Sequence, residues 1–432
     1  MYRVNYPIKL PVHRVNYLFF SYLCEKLKIM VRRKIFWKLL NHLQKKEFSI
    51  VTGARQTGKS TILRQIEDHC RENSLPVVFL NLENKTILSE LNQSPVNLLK
   101  FLPESEQRVV ALVDEIQYLD DPSNFLKFLY DEYSAKLKII ASGSSAFYID
   151  SRFADSLAGR KRLFHLYTCS FDEYLELTGK TTLFEELANI RSRPDYKSTQ
   201  TELLRIEWEK YMLYGGYPAV VTEPDLKEKI YRLREIRDSF VKRDILESGV
   251  QNETAFYKLF QLLASQTGNL INVNELSSSL QIKNETVDNY LSILRKCFHI
   301  SLIKPYFNNL RKELTKMQKV YIMDTGMRNC LLNNFQPIGV RTDKGELWEN
   351  SVFRLLTETN EPDEIRYWRT TAGNEVDFVL THYDQPLAVE SKFDKQQVKP
   401  EKYKVFASNY PMIRLSFFWL EPFDESFFRR IV

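Results

Sequence analysis

The segment GARQTGKST, residues 53–61, carries the residue types that proteins use to bind phosphate groups. It matches G-x-x-x-x-G-K-[ST], and an apolar stretch, FSIVT, precedes it while a helical stretch, TILRQIEDHCREN, follows it. Glycines let such a loop turn tightly, so that backbone amides and the start of the next helix face the phosphates. Lys59 would reach the β- and γ-phosphates, and the Ser60 hydroxyl would bind Mg²⁺. The predicted nucleotide-binding residues are Gly53, Ala54, Arg55, Gln56, Thr57, Gly58, Lys59, Ser60 and Thr61.

A second pattern, RVVALVDEIQYL at 108–119, is an apolar strand that ends in two adjacent carboxylates. Asp114 is placed to hold Mg²⁺, as the aspartate at the end of this strand does in phosphate-loop enzymes. Glu115 is placed to orient or deprotonate the attacking water. An acidic pair at a strand end is weak alone, but this one follows the phosphate loop at a reasonable interval for the fold.

The elements that must carry these residues are five apolar strands separated by helical segments, a pattern that predicts a parallel sheet. Besides the two strands already described, the strands are 77–83, 137–145 and 162–168. Ser142 and Ser144 lie at the carboxyl end of 137–145, where ligands bind in open α/β sheets. Two interpretations are open for these serines: Ser144 contacts the γ-phosphate, or both belong to a serine-rich turn.

A hairpin near the C-terminus, NEVDFVLTHYDQPLAVESK at 374–392, sets acidic residues against each other. With its turn centred in THYDQP, Asp377 faces Glu390 and Glu375 faces Lys392. Directly opposed carboxylates repel each other, so the pattern needs an explanation. Either the two acids share a divalent cation such as Mg²⁺, or Lys392 neutralises them through surface ion pairs.

The composition is that of an ordinary soluble globular protein, with 44% apolar and 27% charged residues among 432. Such a length predicts two to four domains. The net charge of +6 is concentrated at the start, because residues 1–50 carry +9 and leave −3 for the rest. The basic pI is therefore poor support for a nucleic-acid partner. Five cysteines without a CxxC pair, and no bilayer-length apolar run, predict a cytoplasmic protein without a membrane segment.

The middle of the chain is predicted to be helical, with two short helices within 272–297. The strands HISLIKPYF and QKVYIMD follow and flank a basic segment, which is the order of a winged helix. The exposed start of its recognition helix carries Asn284, Glu285, Asp288 and Asn289. The wing carries the cations Arg311, Lys312, Lys316 and Lys319. Acids repel DNA phosphates whereas cations attract them, so nucleic-acid contact and packing within the chain are both open.

In succession, these and further motifs resemble one family, the prokaryotic AAA-type ATPases that carry a C-terminal domain of unknown function. The motifs are DEIQ, SGSSA, LAGRKRLFHLYTCSFDEYLEL, YMLYGGYPAVV, KRDIL, KVYIMDTGM, GELWEN and the pair EVDF and ESK, within residues 31–395. The resemblance implies an α/β protein: a P-loop parallel-sheet AAA-type ATPase core, a helical and winged-helix segment, and an α/β restriction-endonuclease-like domain. The expected parts are an extension (1–29), the core (30–180), a helical lid (181–250), the winged helix (251–335) and the nuclease-like domain (336–432).

The resemblance also assigns roles to residues of the core. It places ATP and Mg²⁺ on Lys59, Ser60, Asp114 and Glu115, in agreement with their spacing. Arg160 in LAGR matches the family's recurring arginine, and we count it with Glu115 and Lys59 as a catalytic candidate. It would contact the γ-phosphate of its own chain or the nucleotide of a neighbour, and a surface salt bridge is the alternative.

In the C-terminal domain, Asp377, Glu390 and Lys392 match the Asp…(Glu/Asp)-x-Lys arrangement of the PD-(D/E)XK nuclease superfamily. The resemblance implies that the two acids bind a second divalent cation and that Lys392 positions water or stabilises developing charge. Glu349 is the candidate third carboxylate.

The resulting hypothesis is an ATP-hydrolysing protein that acts on, or is regulated by, DNA or RNA through its C-terminal half. The alternative is a nucleotide-dependent switch whose nuclease-like domain is catalytically silent. A protein partner and assembly into a homo-oligomer are open in both cases. Because the helical pattern and the resemblance begin after Met30, residues 1–29 are expected to be dispensable.

Overall fold

The computed structural model describes residues 31–143, 157–307, 317–381 and 386–429, and within 241–247 it describes the backbone only. None of the helices in these ranges combines the length and apolar character needed to cross a lipid bilayer. The predicted features that lie outside the described residues are the extension 1–29, Ser144, Arg311, Lys312 and Lys316.

The first part of the chain folds around a five-stranded parallel sheet. Its strands are β1 (Phe48–Thr52), β2 (Val77–Asn81), β3 (Val109–Asp114), β4 (Leu137–Gly143) and β5 (Lys161–His165). Their order in the sheet is β2-β3-β4-β1-β5. Every residue of β1, β3 and β4 is buried, as expected for inner strands whose two faces are both covered by helices. The predicted parallel α/β core is therefore confirmed.

Among the described residues, the helices that accompany this sheet are α1 (Lys34–His42), α2 (Lys59–Glu72), α3 (Lys85–Gln93) and α4 (Pro122–Tyr133). Helix α2 buries Ile62, Leu63 and Ile66, three residues of one face, in the same apolar cluster as Val51 of β1. This packing fixes the start of α2 against the end of β1, and the phosphate-loop segment connects the two.

The middle of the chain is helical and ends in a hairpin. The helices are α5 (Phe171–Leu177), α6 (Thr181–Ser192), α7 (Thr201–Tyr214), α8 (Pro218–Val221), α9 (Leu226–Glu247), α10 (Glu253–Ser265), α11 (Val273–Leu280) and α12 (Asn284–Lys296). Strands β6 (Ile300–Pro305) and β7 (Lys319–Ile322) then pair antiparallel. Two helices followed by a hairpin is the predicted order, and the winged-helix assignment itself stays a prediction.

A second, mixed sheet of six strands contains that hairpin. Its other strands are β8 (Ile365–Arg369), β9 (Glu375–Leu380), β10 (Leu387–Asp394) and β11 (Arg414–Glu421). The order is β11-β10-β9-β8-β6-β7, and β6 pairs with β8 in parallel at Lys304–Arg366 and Pro305–Tyr367. The helices around it are α13 (Thr325–Leu332), α14 (Lys344–Leu356), α15 (Lys404–Asn409) and α16 (Ser426–Arg429). One sheet thus joins the segments predicted as separate domains on either side of residue 335.

Strands β9 and β10 form the predicted hairpin in the predicted register. The aligned pairs are Leu380–Leu387, Val379–Ala388 and Phe378–Val389. The next pair in this register is Asp377 and Glu390. The register is therefore as predicted, and it brings Asp377 and Glu390 together across the hairpin, where the Asp377 amide donates to a Glu390 carboxylate oxygen at 3.2 Å.

An apolar core joins helices α5, α6 and α7 to the second sheet. Phe171 packs edge-on against Trp208, with ring centroids 4.9 Å apart, and Trp208 also contacts Trp348 and Phe427. Helix α9 instead shares a cluster with α10 and α12 through Phe240 and its neighbours. The segment predicted as one helical lid, 181–250, is therefore divided between two cores.

Candidate nucleotide site and carboxylate cluster

The phosphate loop occupies the turn between β1 and α2, and two glycines make its path feasible. Gly58 has a left-handed backbone with φ of +96° and lies immediately before the first residue of α2. A Cβ atom at Gly53 would lie 2.1 Å from the carbonyl oxygen of Leu166. Both positions therefore need glycine, one for its backbone angle and one for lack of space. Ser60 and Thr61 are exposed in the first turn of α2, where helix amides favour an anion.

Lys59 points its ammonium group back over the loop. Its Nζ donates to the carbonyl oxygens of Gly53 and Ala54, both at 2.9 Å. Thr57 closes the loop further, because its hydroxyl donates to the same Ala54 carbonyl at 2.8 Å. Arg33, which the sequence analysis missed, holds the loop from outside by donating to the Thr57 carbonyl at 3.0 Å.

Asp114 and Glu115 stand at the carboxyl end of β3, as predicted. Ser142 at the end of neighbouring β4 donates its hydroxyl to Asp114 and accepts the Glu115 amide at 3.1 Å. The Gln117 amide donates to the Glu115 carboxylate. Ser142 is therefore a site residue, although Ser144 was chosen as the candidate. Its position as a polar residue at the end of an apolar strand was the available signal.

Arg160 lies at the amino end of the parallel strands, whereas the phosphate loop lies at their carboxyl end. Its carbonyl accepts the Phe48 amide, next to the β1–β5 pair Phe48–Lys161, whereas the phosphate loop leaves β1 after Thr52. Four strand steps separate these ends by about 13 Å. The Arg160 guanidinium pairs with Asp131, at 2.7 Å from Nε to Oδ1. The prediction that Arg160 contacts the γ-phosphate of its own chain is therefore wrong, because the strand direction carries it away.

Segments from the second half of the chain reach the phosphate loop. The Gln56 side-chain amide donates to the Ser239 hydroxyl of α9 at 3.5 Å. A Cβ atom at Gly58 would lie 4.0 Å from Pro218, the first residue of α8. A small cavity beside Ala54 is lined by Tyr217, His299, Met323, Asp324 and Met327 among others. The phosphate loop thus lies in contact with residues from the second half of the chain.

Asp324, which follows β7, joins this helical region to the second sheet. Its two oxygens accept the amides of Gly216 at 2.8 Å and Met327 at 2.9 Å. Burial raises the pKa of Asp324, although these two amides favour its charged form. A Cβ atom at Gly215 would lie 2.1 Å from the Asp324 carboxylate. The first glycine of the GGYP turn therefore leaves room for this carboxylate, and the second, Gly216, leaves room for the Cys169 backbone.

The predicted carboxylates of the C-terminal domain come together on one face of the second sheet. Asp377 accepts the amide and the hydroxyl of Ser391, both at 2.8 Å. Glu390 accepts the Asp377 amide at 3.2 Å and the ammonium of Lys392. Glu349 approaches from helix α14, which the Asn350 side chain fixes to β7 by two hydrogen bonds of 2.9 Å with Ile322.

Lys319 of β7 lies in the middle of this carboxylate cluster. Its Nζ is 3.3 Å from Glu349 Oε1 and 3.6 Å from Asp377 Oδ1, and it also contacts Glu375. The Tyr321 hydroxyl, two residues along the same strand face, donates to Glu349 at 2.6 Å. Lys319 was one of the four wing cations considered for nucleic-acid contact, but its side chain is only 2% exposed, so it packs within the chain instead.

Burial and mutual repulsion alter the ionisation of this cluster. Burial first, and then the nearby Asp377, raise the pKa of Glu349 to about 7 and that of Glu390 to about 8. Burial alone would lower the pKa of Lys319, but Glu349, Asp377 and Glu375 together raise it instead. The cluster therefore keeps its lysine charged and favours the neutral form of two of its acids.

The cluster does not fit the second divalent cation expected from the sequence. In the described part of the chain no set of three or more His, Cys, Asp or Glu side chains is arranged to hold a metal ion. The ammonium of Lys319 already lies among three of the four acids. The nucleotide site differs, because the Asp114 carboxylate and the exposed Ser60 hydroxyl are oxygen donors of the kind that Mg²⁺ takes.

Comparison with known protein families agrees with the fold of the parallel-sheet core. A family model described as an AAA domain matches residues 45–175. The core has the AAA-type P-loop fold. Two further models, each described as a domain of unknown function, match residues 205–337 (DUF8612) and 344–417 (DUF4143).

Alignments with two related proteins cover most of the chain. An uncharacterized protein of Haemophilus influenzae is 26% identical over 381 residues, which cover 85% of this chain and 88% of that protein. The uncharacterized protein MJ1637 of Methanocaldococcus jannaschii is 28% identical over 380 residues, with coverage of 82% and 77%. Neither name states an activity.

Two solved structures illustrate the structural likeness. The Aeropyrum pernix ORC1 protein in complex with DNA is 11% identical with a TM-score of 0.28, covering 69% of this chain and 91% of that one. AMPPCP-bound DnaA from Aquifex aeolicus is 13% identical with a TM-score of 0.31, covering 61% and 86%. Scores this low indicate nothing about what the present chain binds.

Proposed function

We propose that this protein binds ATP in the phosphate loop and hydrolyses it with the help of Mg²⁺. The observation that carries the proposal is the position of Lys59, whose ammonium lies over the loop at 2.9 Å from two carbonyl oxygens. Carbonyl oxygens are neutral partners, so a charged phosphate oxygen can replace them as acceptor. The AAA domain match over 45–175 supports the same function.

The roles of the other residues follow from their positions. Ser60 and Asp114 would hold Mg²⁺, which neutralises charge on the phosphates when it is bound. Ser142 fixes the Asp114 carboxylate in place by its hydrogen bond. Glu115 would orient the attacking water, once its carboxylate exchanges the Gln117 amide for that water.

Lys59→Ala and Glu115→Gln test this proposal because the two residues serve different steps. Lys59→Ala should weaken ATP binding, measured by titration with a fluorescent ATP analogue. Glu115→Gln should keep binding but lower the hydrolysis rate by about 100-fold or more. Lys85→Ala is a matched control, because Lys85 is also the first residue of a helix but is exposed and outside the loop. Full turnover in both test variants would exclude the ATPase assignment.

The second part of the proposed function is an interaction with nucleic acid. The chain would act on DNA or RNA, or be regulated by it, through residues 251–432. In the described part of the chain the start of α12 exposes Glu285 and Asp288, which oppose phosphate contact. The support is the basic sequence NNLRKELTKMQ, which precedes the buried Lys319. ATP hydrolysis measured with and without DNA or RNA tests this part, and an unchanged rate together with no binding contradicts it.

The assignment of a nuclease-like domain is kept as a proposal, with a silent domain as the alternative. The specific observation that favours the silent alternative is Lys319 among Glu349, Glu375 and Asp377. A plasmid-nicking assay with Mg²⁺ distinguishes the two, provided that loss of nicking in Asp377→Asn shows that the activity belongs to this chain.

A further inference from the structure

We propose that Lys319 is the resident cation of the carboxylate cluster and takes the place that a divalent metal ion would otherwise occupy. The proposal goes beyond ATP hydrolysis, because it concerns a different site and a different ligand. It states that the C-terminal domain is built and held together without a metal ion.

The geometry of Lys319 matches the bonding capacity of an ammonium group. Such a group has three N–H donors and no acceptor. Lys319 Nζ meets three carboxylates, at 3.3 Å from Glu349 and 3.6 Å from Asp377, with Glu375 as the third. Glu349 and Glu375 lie within hydrogen-bond distance of the ammonium, and Asp377 forms a longer ion pair with it, so the ammonium occupies the space between the three acids.

The cluster is also closed on the side away from the hairpin. A Cβ atom at Gly268 would lie 2.9 Å from Glu349 Oε1, so the backbone of that residue covers the carboxylate. The Gly268 amide donates to the Val320 carbonyl at 2.8 Å, which fixes this cover to the strand of Lys319. Mg²⁺ in proteins usually keeps several water ligands, and the Gly268 backbone removes one side from which water could reach the Glu349 carboxylate.

The charges of the cluster are nearly balanced without a metal ion. Its acids are Glu349, Glu375, Asp377 and Glu390, and its cations are Lys319, Arg369 and Lys392. Arg369 pairs with Glu375 at 3.1 Å on the outer side. A divalent ion would therefore add an excess of positive charge next to a buried ammonium.

Lys319 cannot move aside as easily as Lys392. Its strand pairs with β6 at Ile303 and its side chain is 2% exposed, against 31% for Lys392. Withdrawing the Lys319 ammonium would leave the Glu349 and Asp377 carboxylates without the cation that contacts them, which is unfavourable. The two lysines thus have different roles. Lys319 is a fixed internal cation, and Lys392 is a partly exposed one.

Binding of Mn²⁺ to the nucleotide-free full chain tests the proposal directly. Electron paramagnetic resonance counts bound Mn²⁺ in the wild type and in Asp377→Asn, which loses a cluster charge but keeps the phosphate loop. We expect equal numbers of bound ions and equal affinities in both proteins. A bound ion that is present in the wild type and absent in Asp377→Asn would overturn the proposal, without affecting the ATPase assignment.

Replacing the lysine should turn the cluster into a metal site. Lys319→Met should be less stable than the wild type in EDTA, and saturating Mn²⁺ should raise its melting temperature by about 3 °C or more. The double variant Lys319→Met/Asp377→Asn should show no such rise. If Lys319→Met folds but neither binds Mn²⁺ nor gains stability from it, Lys319 does not take the place of a divalent metal ion. If it fails to fold in both conditions, the wild-type comparison above decides alone.

Discussion

At the scale of single residues, the two sites place a buried ammonium group in opposite surroundings. The Lys59 ammonium donates to two neutral carbonyl oxygens, whereas the Lys319 ammonium lies among charged carboxylates. A phosphate oxygen can replace a carbonyl oxygen as acceptor, but a group of carboxylates repels it. The difference suits Lys59 to binding a ligand and Lys319 to holding a structure.

Ser142 gives a prediction at this scale. Ser142→Ala removes the hydroxyl that bonds both Asp114 and the Glu115 amide, so both acids lose alignment. We expect kcat for ATP to fall about 10-fold, as for one hydrogen bond to a charged group. Ser142→Thr should restore the rate because it returns the hydroxyl. Ser192→Ala is the control, since that exposed hydroxyl donates only to carbonyls of its own helix.

The raised pKa of Glu390 predicts how stability changes with pH. In the folded chain the pKa of this carboxyl is about 8, whereas its ordinary value is 4.5. The folded state binds more protons between these values, so its stability falls as the pH rises through this window. Glu390→Gln should flatten the decline, which is at most about 1.4 kcal/mol per pH unit for one proton.

Denaturation with urea at pH 5.5, 7 and 8.5 measures this decline in the wild type and in Glu390→Gln. Glu401→Gln is the control, because it removes an exposed carboxylate outside the cluster. A stability that rises with pH over this range in the wild type, or an unchanged decline in Glu390→Gln, would contradict the assignment.

Some of the sites could be predicted from the sequence because their geometry is local. The register of the β9–β10 hairpin depends on one short turn, and it placed Asp377 opposite Glu390 correctly. The roles of Lys319 and Arg33 depend on partners far along the chain, such as Glu349 and Thr57. No local pattern carries that information, so these two residues were misplaced or missed.

At the scale of elements, the same reasoning explains why the five-stranded sheet was predictable and the contacts between the predicted domains were not. Alternation of apolar strands with helices predicts a parallel sheet directly. The pairing of β6 with β8 and the packing of α7 against α14 are contacts between distant segments. Arg160 illustrates the same limit. Its motif identified it as the recurring arginine, but not the end of the strands at which it lies.

Two glycines at the starts of helices give a prediction at this scale. Gly326 and Gly345 are each the second residue of their helices, α13 and α14. A Cβ atom at Gly326 would lie 2.1 Å from the Tyr214 carbonyl, whereas at Gly345 it would meet nothing within 4 Å. Gly326→Ala should lower the free energy of unfolding by about 3 kcal/mol, because well-packed segments must separate.

Gly345→Ala should leave stability unchanged or raise it by up to about 1 kcal/mol, because alanine favours the helix. Urea denaturation of both variants makes the comparison. Equal effects of the two substitutions would show that α13 does not pack closely on the end of α7.

At the scale of the whole molecule, the first described residues tie the phosphate loop to α5. Arg33 donates to the Thr57 carbonyl and pairs with Glu173 at 2.7 Å, and both partners are buried. Gln65 of α2 donates to the Val31 carbonyl at 3.0 Å. A chain that begins at Met30 keeps all the residues that make these contacts.

A chain that starts at Met30 should therefore fold and hydrolyse ATP at the wild-type rate. The same shortened chain with Arg33→Met should lose about 3–5 kcal/mol of stability, because Glu173 is left buried without its partner. Calorimetry and ATPase rates test both chains. An insoluble or inactive chain from Met30 would show that residues 1–29 are needed.

The aromatic core that joins α7 to the C-terminal sheet has a consequence for synthesis on the ribosome. Trp208 packs against Phe427, with ring centroids 5.7 Å apart. About 220 residues separate them, and at roughly 5–20 residues per second the ribosome needs on the order of 10–40 s to make that length. Throughout this interval the emerging helices expose an apolar face with no final partner. The nascent chain is therefore most exposed to aggregation and to chaperones before its last strands appear.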